Sequence, residues 1–549
     1  MKIEATTHLR VVALPTAALM AFRLVEALST SGFPDIYTSI SLLAGLGLAI
    51  TLIIASFNSA FISITTKQPG FEFIEPPTIP TWIPWLGHAL SYRSSPATFL
   101  KRCSQRYGPV YKFLAGGKYL VVISHPITIS NLLRDRSKTI GIFDFQFLHK
   151  VTGIKDMTRM PHIYSHLVGV ILTHPRKALS ERHLGDVAAS FNEQLFLILP
   201  TFLHGSEEMT FGVTDFVRRS LFPCTTMALL GHPFVDHDMY EDFFAFDDAA
   251  PQIIQKASFS GRLSAEDARD RIVQKLSSCV QQHWRDEDGG YLEGAEHPFI
   301  SEIVRSMKAG NLTEDEMGRL LMSWMWGAHS NVIRVSIWLI NYILTDDVMR
   351  ETIRNEVLAG VEKVFSDIGS FIHDDPRCFD PNHFPFLNSA IKETLRIISL
   401  PSSARTVLED TVLEGHDGQP IRLHKGEIIM ADITSMHYNQ QYFEDPHTFK
   451  FDRFVKSKGD TIFQQKVFLP FGSGTHVCIG RHYAQHVIRV FMISLFHFYD
   501  IGPGIGSSRL PPVDPKSFLT LLHSDKDLSI TIRRHHEDRL NDFLYAQSS

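Results

Sequence analysis

The chain has 549 residues, of which 44% are hydrophobic, and its 53 basic and 59 acidic side chains give a formal net charge of −6. A charge so close to balance gives no electrostatic reason to expect a nucleic-acid partner. The cysteines are Cys103, Cys224, Cys279, Cys378 and Cys478. An odd and scattered set argues against a disulfide framework and fits a reducing compartment.

The first 67 residues differ from the rest of the chain. Between Asp35 and Lys67 there are 31 consecutive uncharged residues, many of them apolar. A bilayer core requires about 20 apolar residues, so we expect residues 1–67 to form a membrane anchor with a transmembrane helix at about residues 39–62. The shorter run at residues 11–22 fits an interfacial segment, a signal-peptide core or half of a hairpin.

Residues 68–90 are rich in proline, with four prolines between Pro76 and Pro84. Because proline fixes its own φ angle and lacks an N–H group, this stretch cannot be a helix or a central strand. We therefore predict a stiff extended hinge, which would hold the folded domain, residues 91–549, at a fixed height above the membrane.

The folded domain is expected to be mainly α-helical with small β-sheets. Ser95–Tyr107 has a helical pattern, and Tyr111–Ser124 reads as two short strands that turn at Gly116 and Gly117. Residues 130–310 are mostly helical by pattern. Four prolines are expected to interrupt those helices: Pro161, Pro175, Pro223 and Pro251.

A long apolar helix is predicted to begin at Thr313. Thr313 and Glu316 have the spacing of a capping box, and the apolar pattern continues to about Leu344. The middle of this helix is small and polar, with the sequence WGAHSNV at residues 326–332. The residues alone are compatible with close packing and with a role in a reaction.

A second helix with charged residues is predicted at Phe386–Ile398. Its Glu393 and Arg396 are three residues apart, so they share one face. Taken alone, this would be an ordinary surface ion pair, which contributes little to stability.

The stretch Phe468–His486 contains a single cysteine, Cys478, just before a predicted helix. It is framed by Phe471, Gly472, Gly474 and Gly480. Glycines allow tight turns and the close approach of a flat ligand, and the positive end of a helix favours a thiolate. A thiolate in such a loop is suited to be an axial ligand of haem iron.

Two other interpretations of Cys478 remain open from the residues alone. A buried cysteine is commonly a small hydrophobic residue. A zinc site would draw on the nearby His476, His482 and His486. The spacing disfavours zinc, because His-x-Cys is not a usual chelating arrangement.

The sequence Phe471-x-x-Gly474-x-x-x-Cys478-x-Gly480 resembles the haem-binding signature of the cytochrome P450 family. The hinge, the long helix and the Glu-x-x-Arg pair occur in the order typical of that family. The resemblance implies a cytochrome P450 fold, mainly α with small β-sheets and an N-terminal transmembrane anchor. It also implies haem b as the cofactor.

The resemblance further implies roles for individual residues. Cys478 would be the axial ligand of the iron, with Phe471, Gly472 and Gly480 in the haem-binding loop. Arg405 would bind one haem propionate. His476 stands where the family generally has an arginine for the other propionate, so a fixed charge is lost there. A buried network is implied for Glu393, Arg396 and Arg453.

The central sequence of the long helix resembles a subgroup of the family. WGAHSNV, followed by Trp338, is similar to sterol 7α- and 12α-hydroxylases and to prostacyclin synthase, in which asparagine also replaces threonine. Ser330 and Asn331 then occupy the places of the acid and the threonine that relay protons in most members. Phe246-Asp247, Pro251 and Ala268-Arg269 also resemble the sterol 7α-hydroxylases.

These resemblances imply a membrane-bound monooxygenase that oxidises a bulky apolar substrate, a sterol or a terpenoid, in lipid or secondary-metabolite biosynthesis. Electrons would come from NADPH through a separate NADPH-cytochrome reductase, because the chain has no flavin or nicotinamide motif. The expected location is the endoplasmic reticulum membrane, with the domain facing the cytosol. An isomerase or dehydratase that needs no reductase, and a non-catalytic haem binder, are the alternatives.

The substrate pocket is expected to be lined by residues from three parts of the chain. They are Trp326, Ala328, Asn331, Ser402 and Phe518–Leu522. A mostly apolar lining with few polar groups suits a lipid-like ligand.

Overall fold

The structure is a computed structural model of the chain. It describes residues 74–134, 139–140, 145–203, 205–235, 237–255, 259–295, 298–364, 380–400, 403–416, 418–455, 466–474, 477–515, 517, 521–524 and 526–534. The anchor predicted at residues 1–67 lies outside these ranges. Within them, no helix combines the length and the apolar character that crossing a membrane requires.

The described residues are mainly helical, as the sequence predicted. Their α-helices are α1 Ala89–Ser94, α2 Pro96–Tyr107, α3 Pro126–Arg134, α4 Phe145–Thr152, α5 Met160–His166, α6 Thr173–Ala178, α7 Gly185–Ile198, α8 Val213–Leu230, α9 His237–Gln255, α10 Phe259–His283, α11 Pro298–Ala309, α12 Glu314–Thr345, α13 Asp347–Val364, α14 Pro385–Ile398, α15 Ile433–His437 and α16 Arg481–Phe498. A π-helical turn, Leu167–Ile171, joins α5 to the segment before α6, and Leu172 N–H donates to the carbonyl of Leu167 at 3.0 Å.

The strands form small sheets at the edges of the helical body. They are β1 Val110–Ala115, β2 Lys118–Ile123, β3 Thr139–Ile140, β4 Glu208–Gly212, β5 Trp284–Arg285, β6 Tyr291–Leu292, β7 Ser403–Val407, β8 Thr411–Glu414, β9 Pro420–Leu423, β10 Ile428–Ala431, β11 Tyr499–Pro503 and β12 Ser529–Arg534. The largest sheet has the order β1-β2-β10-β7-β3, and a second has the order β11-β12-β4. The strands β5 and β6, and β8 and β9, pair as hairpins.

The capping box at the start of α12 is confirmed. The hydroxyl of Thr313 accepts a hydrogen bond from the Glu316 N–H at 3.2 Å, and the Glu316 carboxylate accepts one from the Thr313 N–H at 2.8 Å. The predicted helices α2 and α14 and the β1–β2 hairpin are also present. In each case the deciding signal is local in sequence.

Two of the four predicted helix breaks are wrong. Pro223 lies inside α8 and Pro251 inside α9, and both helices continue past them. An interior proline removes one backbone hydrogen bond and costs about 3 kcal/mol. The neighbours of Pro223, Phe222 and Cys224, are buried, so packing on both sides of the proline offsets that cost.

The described part of the proline-rich hinge is bonded to the sheet. Ile79 N–H donates to the Lys112 carbonyl at 2.8 Å, and Lys112 N–H donates to the Pro77 carbonyl at 2.9 Å. The chain then turns at Trp85, whose φ is 62°, and Gly117 N–H donates to the Trp85 carbonyl at 2.6 Å. From Ile74 onward this arm is therefore an edge of the folded domain.

The same turn presents apolar side chains to the outside. Trp82, Ile83, Trp85 and Leu90 are 84%, 48%, 68% and 60% exposed. A left-handed backbone at a tryptophan is strained by about 1–3 kcal/mol. We call these four residues the apolar turn.

Three histidines in the core are held neutral. His329 Nδ1–H donates to the Met325 carbonyl at 2.7 Å, and His486 Nε2 lies 3.1 Å from the amide oxygen of Asn192. Burial lowers the pKa of His329 to about 4, that of His437 to about 3 and that of His486 to about 3.

These histidines predict acid lability. Their pKa values are lower in the folded protein than in the unfolded chain, so below pH 6.5 the unfolded state binds more protons. The free energy of unfolding should therefore fall as the pH drops from about 6.5 toward 4, by up to about 4 kcal/mol per pH unit for three histidines. Urea titrations of the holoprotein at pH 7.5, 6.5 and 5.5 measure this slope.

Single substitutions supply the controls. His486→Gln should reduce the slope by about one proton, that is, about 1.4 kcal/mol per pH unit. His232→Gln, at an exposed histidine, should leave it unchanged. A free energy of unfolding that is flat from pH 7 to pH 5 contradicts the prediction.

Candidate functional site

The loop that carries Cys478 is closed by backbone hydrogen bonds. Cys478 N–H donates to the Phe471 carbonyl at 2.9 Å, and Gly472 N–H donates to the Leu469 carbonyl at 3.0 Å. Gly480 is the N-cap residue of α16. Cys478 thus lies just before a helix N-terminus, as the sequence predicted.

Glycine is required at two positions of this loop. Gly472 and Gly474 have φ angles of 71° and 69°, in the left-handed region that other residues rarely adopt. A Cβ atom at Gly474 would also lie 2.1 Å from the carbonyl oxygen of Leu133, the penultimate residue of α3. The loop is therefore seated directly on α3.

Cys478 is exposed although many protein atoms surround its thiol. Its side chain is exposed, yet burial among protein atoms raises the pKa of its thiol. The Gly480 N–H and the charge of Arg481 lower this pKa, but burial outweighs them. The helix N-terminus thus favours the thiolate, as the sequence predicted, while burial opposes it. A thiolate here needs a further positive charge, which a coordinated metal ion supplies.

The zinc interpretation finds no support among the residues that the structure describes. They contain no group of three or more His, Cys, Asp or Glu side chains placed to hold a metal ion. His486 lies in the core beside Asn192, and His476 lies outside the described residues.

The long helix α12 is open in its middle although most of it is buried. Gly327 is exposed, and a Cβ atom at this residue would meet nothing within 4 Å. Ala328 and Asn331 are half-buried, whereas His329 and Ser330 are buried. The opening thus lies on the face that carries Gly327 and Asn331, which are four residues apart and close in space.

Ser330 points toward α9 and belongs to a polar cluster there. Its hydroxyl donates to Asp247 Oδ1 at 2.7 Å and also contacts a guanidinium N–H of Arg334. Arg334 Nη2 donates to Asp247 Oδ2 at 2.8 Å, and the indole N–H of Trp326 donates to Asp247 Oδ1 at 2.7 Å. The structure therefore separates Ser330, which is engaged in this cluster, from Asn331 at the opening.

Glu393, Arg396 and Arg453 are brought together in the core. The Glu393 carboxylate accepts two hydrogen bonds from Arg396, at 2.7 and 2.8 Å, and two from Arg453 Nε, both at 2.9 Å. Glu393 and Arg396 are fully buried. Arg396 also donates to the carbonyls of His437 at 2.6 Å and Pro446 at 2.9 Å.

His437 links this network to the cysteine loop. Its Nδ1–H donates to the Arg396 carbonyl at 3.0 Å, and its Nε2 accepts the Leu469 N–H at 3.2 Å. Its ring also stacks on Phe468, with centroids 5.6 Å apart. Sequence reasoning missed His437, because no local pattern marks a histidine whose partners are 41 and 32 residues away.

Arg405 lies buried on β7 opposite Ile429 of β10. Burial lowers the pKa of its guanidinium, and the nearby Tyr164 of α5 acts in the opposite direction. An added carboxylate would stabilise this cation further. Tyr164 is a second residue that sequence reasoning missed, because nothing in its surroundings in the sequence suggests a role.

These observations fit the residues to a haem group. The thiol is exposed and its pKa is raised by burial, the loop cannot accept a Cβ at Gly474, and Arg405 is a buried cation. A haem would supply an iron for Cys478 and a propionate for Arg405.

The sequence matches the profile of the family described as Cytochrome P450 at residues 77–156 and 236–527. It is 25% identical over 531 residues to Cytochrome P450 7A1 of Sus scrofa, covering 91% of this chain and 99% of the relative. It is 23% identical over 474 residues to the 5-beta-cholestane-3-alpha,7-alpha-diol 12-alpha-hydroxylase of Sus scrofa, covering 80% and 89%. It is 25% identical over 473 residues to the cholesterol 7-alpha-monooxygenase of Cricetulus griseus, again covering 80% and 89%.

The buried network predicts the effect of Arg396→Lys. One ammonium group cannot replace the planar fork that reaches two carboxylate oxygens and two carbonyls. Breaking such a pair costs roughly 3–5 kcal/mol, so we expect little haem-loaded protein. The red-shifted Soret band of the reduced carbon-monoxide complex measures loading, and Cys478→Ala gives the baseline without that band.

A matched control uses an exposed ion pair. Arg219 pairs with Asp215 at 2.8 Å on the surface of α8, with side chains 61% and 46% exposed. The Arg219→Lys variant should bind haem as the wild type does, because exposed ion pairs contribute only about 0–1 kcal/mol to stability. Normal loading of Arg396→Lys would contradict a structural role for this arginine.

Proposed function

The chain belongs to the cytochrome P450 family, and we propose that this haem-thiolate monooxygenase hydroxylates a sterol or a terpenoid of similar size. The observation that carries the proposal is the opening on α12 at Gly327 and Asn331, together with the exposed Cys478. We propose that the two surfaces face one cavity, which holds haem b and the substrate.

Haem held by a cysteinate activates O₂ for insertion into a C–H bond. In this proposal Cys478 binds the iron, and the Gly480 N–H and the charge of Arg481 stabilise its thiolate. Arg405 and Tyr164 hold one propionate. Asn331 holds ordered water at the opening and thereby positions the protons that the reaction consumes.

The substrate class rests on two lines of support. Two of the relatives are named for acting on cholesterol and on a cholestane diol. The opening of α12 is bordered by Gly327 and by the half-buried Ala328. An apolar border with few polar groups suits a rigid, bulky, mostly hydrocarbon ligand.

Electrons are proposed to come from NADPH through a separate reductase. The reaction requires two of them, and the sequence has neither a flavin-binding nor a nicotinamide-binding motif. A membrane location follows from the uncharged run between Asp35 and Lys67. The apolar turn lies 16 to 24 residues after the last residue of that run, and tryptophans favour the membrane interface. We therefore propose that it rests on the bilayer.

The experiment that tests the function combines a ligand titration with a coupled assay. The holoenzyme is titrated with sterols and terpenoids, and those that shift the Soret band are incubated with NADPH and a reductase. We expect a hydroxylated product in the wild type. Product formed without NADPH would instead indicate an isomerase or dehydratase.

Asn331→Ala tests the proposed proton delivery. NADPH should still be consumed, but more peroxide and roughly 100-fold less product should form. Asn331→Thr should retain part of the activity, because a hydroxyl also donates and accepts hydrogen bonds. The surface substitution Arg219→Lys on α8, which lies outside the opening, serves as the control. An unchanged ratio of product to NADPH in Asn331→Ala would make Asn331 a packing residue.

Truncation tests the membrane proposal. Without residues 1–67 the protein should still bind vesicles in part, because the apolar turn remains. Trp82→Ser and Trp85→Asn in the truncated protein should weaken binding roughly tenfold each, measured by flotation with phosphatidylcholine vesicles. Asparagine tolerates the left-handed backbone of Trp85.

The control for the apolar turn is Ile505→Ser, at another fully exposed apolar residue, which should not change binding. Equal binding with and without the two tryptophans would contradict the proposed contact. Full membrane retention of the truncated protein in alkaline carbonate would indicate a further membrane-spanning segment.

A further inference from the structure

A charged residue lies at the edge of the opening on α12. Arg334 follows Asn331 by three residues, so the two side chains are about 60° apart around the helix axis. The Arg334 side chain is 12% exposed, whereas the side chain of its partner Asp247 is 4% exposed. Arg334 thus lies between the open face of α12 and the buried contact with α9.

Asp247 is already well satisfied as an acceptor. It receives hydrogen bonds from Trp326, Ser330 and Arg334. Burial raises the pKa of the Asp247 carboxyl, but the charge of Arg334 and the hydrogen bonds from Ser330 and Trp326 outweigh burial. The pKa of Asp247 is therefore lowered. Asp247 is therefore an anion, and it forms a neutral pair with Arg334.

Arg334 has more donors than this pair uses. A guanidinium carries five N–H groups in one plane, and the contacts with Ser330 and Asp247 involve two of its nitrogens. The guanidinium is held in place by a buried carboxylate on one side and lies near the opening on the other. It can therefore donate a hydrogen bond into the cavity without leaving Asp247.

His523, from the C-terminal part of the chain, also lies near Arg334 and Asp247. Burial lowers the pKa of His523 to about 4, and the charge of Arg334 acts in the same direction. The preceding residue, Leu522, accepts a hydrogen bond from the indole of Trp338 at 2.9 Å. A neutral imidazole close to Arg334 adds no charge to the region.

We propose that Arg334 is a specificity-determining residue that donates a hydrogen bond to a neutral oxygen, a hydroxyl or a keto group, of an otherwise apolar ligand in this cavity. A carboxylate is disfavoured, because the Arg334 charge is already balanced by Asp247 and a second anion would be repelled. The inference rests on the proposed function, since it assumes that the opening holds the substrate.

The test uses ligands whose iron-binding group is separate from the group that Arg334 recognises. N-alkylimidazoles bind haem iron through the imidazole and produce a red-shifted Soret band. A series with chains of 6 to 14 carbons is compared in three forms, with a terminal methyl, hydroxyl or carboxylate group. The hydroxyl advantage is the Kd of the methyl form divided by the Kd of the hydroxyl form. At one or a few chain lengths this ratio should be about 10- to 100-fold larger for the wild type than for the variant described next.

The variant is Arg334→Gln with Asp247→Asn. Changing both residues removes the two charges together and avoids a buried unpaired carboxylate. The advantage of the hydroxyl over the methyl form should be lost, while binding of the methyl form stays the same. Arg334→Lys, which keeps a cation beside Asp247, should retain part of the advantage.

The matched control is a second ion pair on the same helix. Arg319 of α12 is buried and pairs with Asp270 at 3.0 Å, about 22 Å along the helix from Arg334. Arg319→Gln with Asp270→Asn should leave the hydroxyl advantage unchanged. The carbon-monoxide band verifies that each variant is folded and loaded.

Three results would overturn the inference. The wild type could show no hydroxyl advantage at any chain length, the double variant could keep the advantage, or the carboxylate form could bind more tightly than the hydroxyl form. None of these depends on a sterol being the substrate. Failure of every sterol and terpenoid to shift the Soret band would instead refute the proposed substrate class, and the imidazole series would still decide the role of Arg334.

Discussion

The fully buried carboxylate of Glu393 is the constraint around which the cysteine-bearing side of the protein is arranged. An ionised carboxylate in the core is tolerated only when its oxygens are satisfied, and here two arginines supply four hydrogen bonds. The arginines in turn need acceptors, which are the carbonyls of His437, Pro446 and Thr448. One charge on α14 thereby fixes the path of the chain from His437 to Arg453.

The neutral imidazole of His437 connects this ion network to the cysteine loop. His437 can join Arg396 to Leu469 only if one ring nitrogen carries a proton and the other does not, and its low pKa maintains that form. From Leu469 the loop closes over Gly472 and is seated on the Leu133 carbonyl at Gly474. The position of Cys478 is thus set from two sides, by the ion network and by α3.

Sequence reasoning recovered the features whose causes are local. The capping box at Thr313, the hairpin at two glycines and the glycines of the cysteine loop are readable because a few neighbouring residues decide them. Pro223 was misjudged because tertiary packing outweighs a local penalty. The Asp247–Arg334 pair was missed because its members are 87 residues apart, although a charge in the middle of an apolar helix was a visible signal. At Cys478 the sequence shows the helix N-terminus, which favours a thiolate, but it does not reveal the burial that raises the pKa of the thiol.

The π-helical turn at Leu167–Ile171 has a consequence for how the chain can vary. A π turn holds one residue more than an α turn, so the helices before and after it are out of phase by about 100°. Tyr164, beside Arg405, and the exposed Arg176 lie on opposite sides of this turn. Deleting one residue within it would restore a continuous α-helix and rotate Arg176 relative to Tyr164. A change of one residue in length would therefore alter the angle between the two parts of this segment by about 100°.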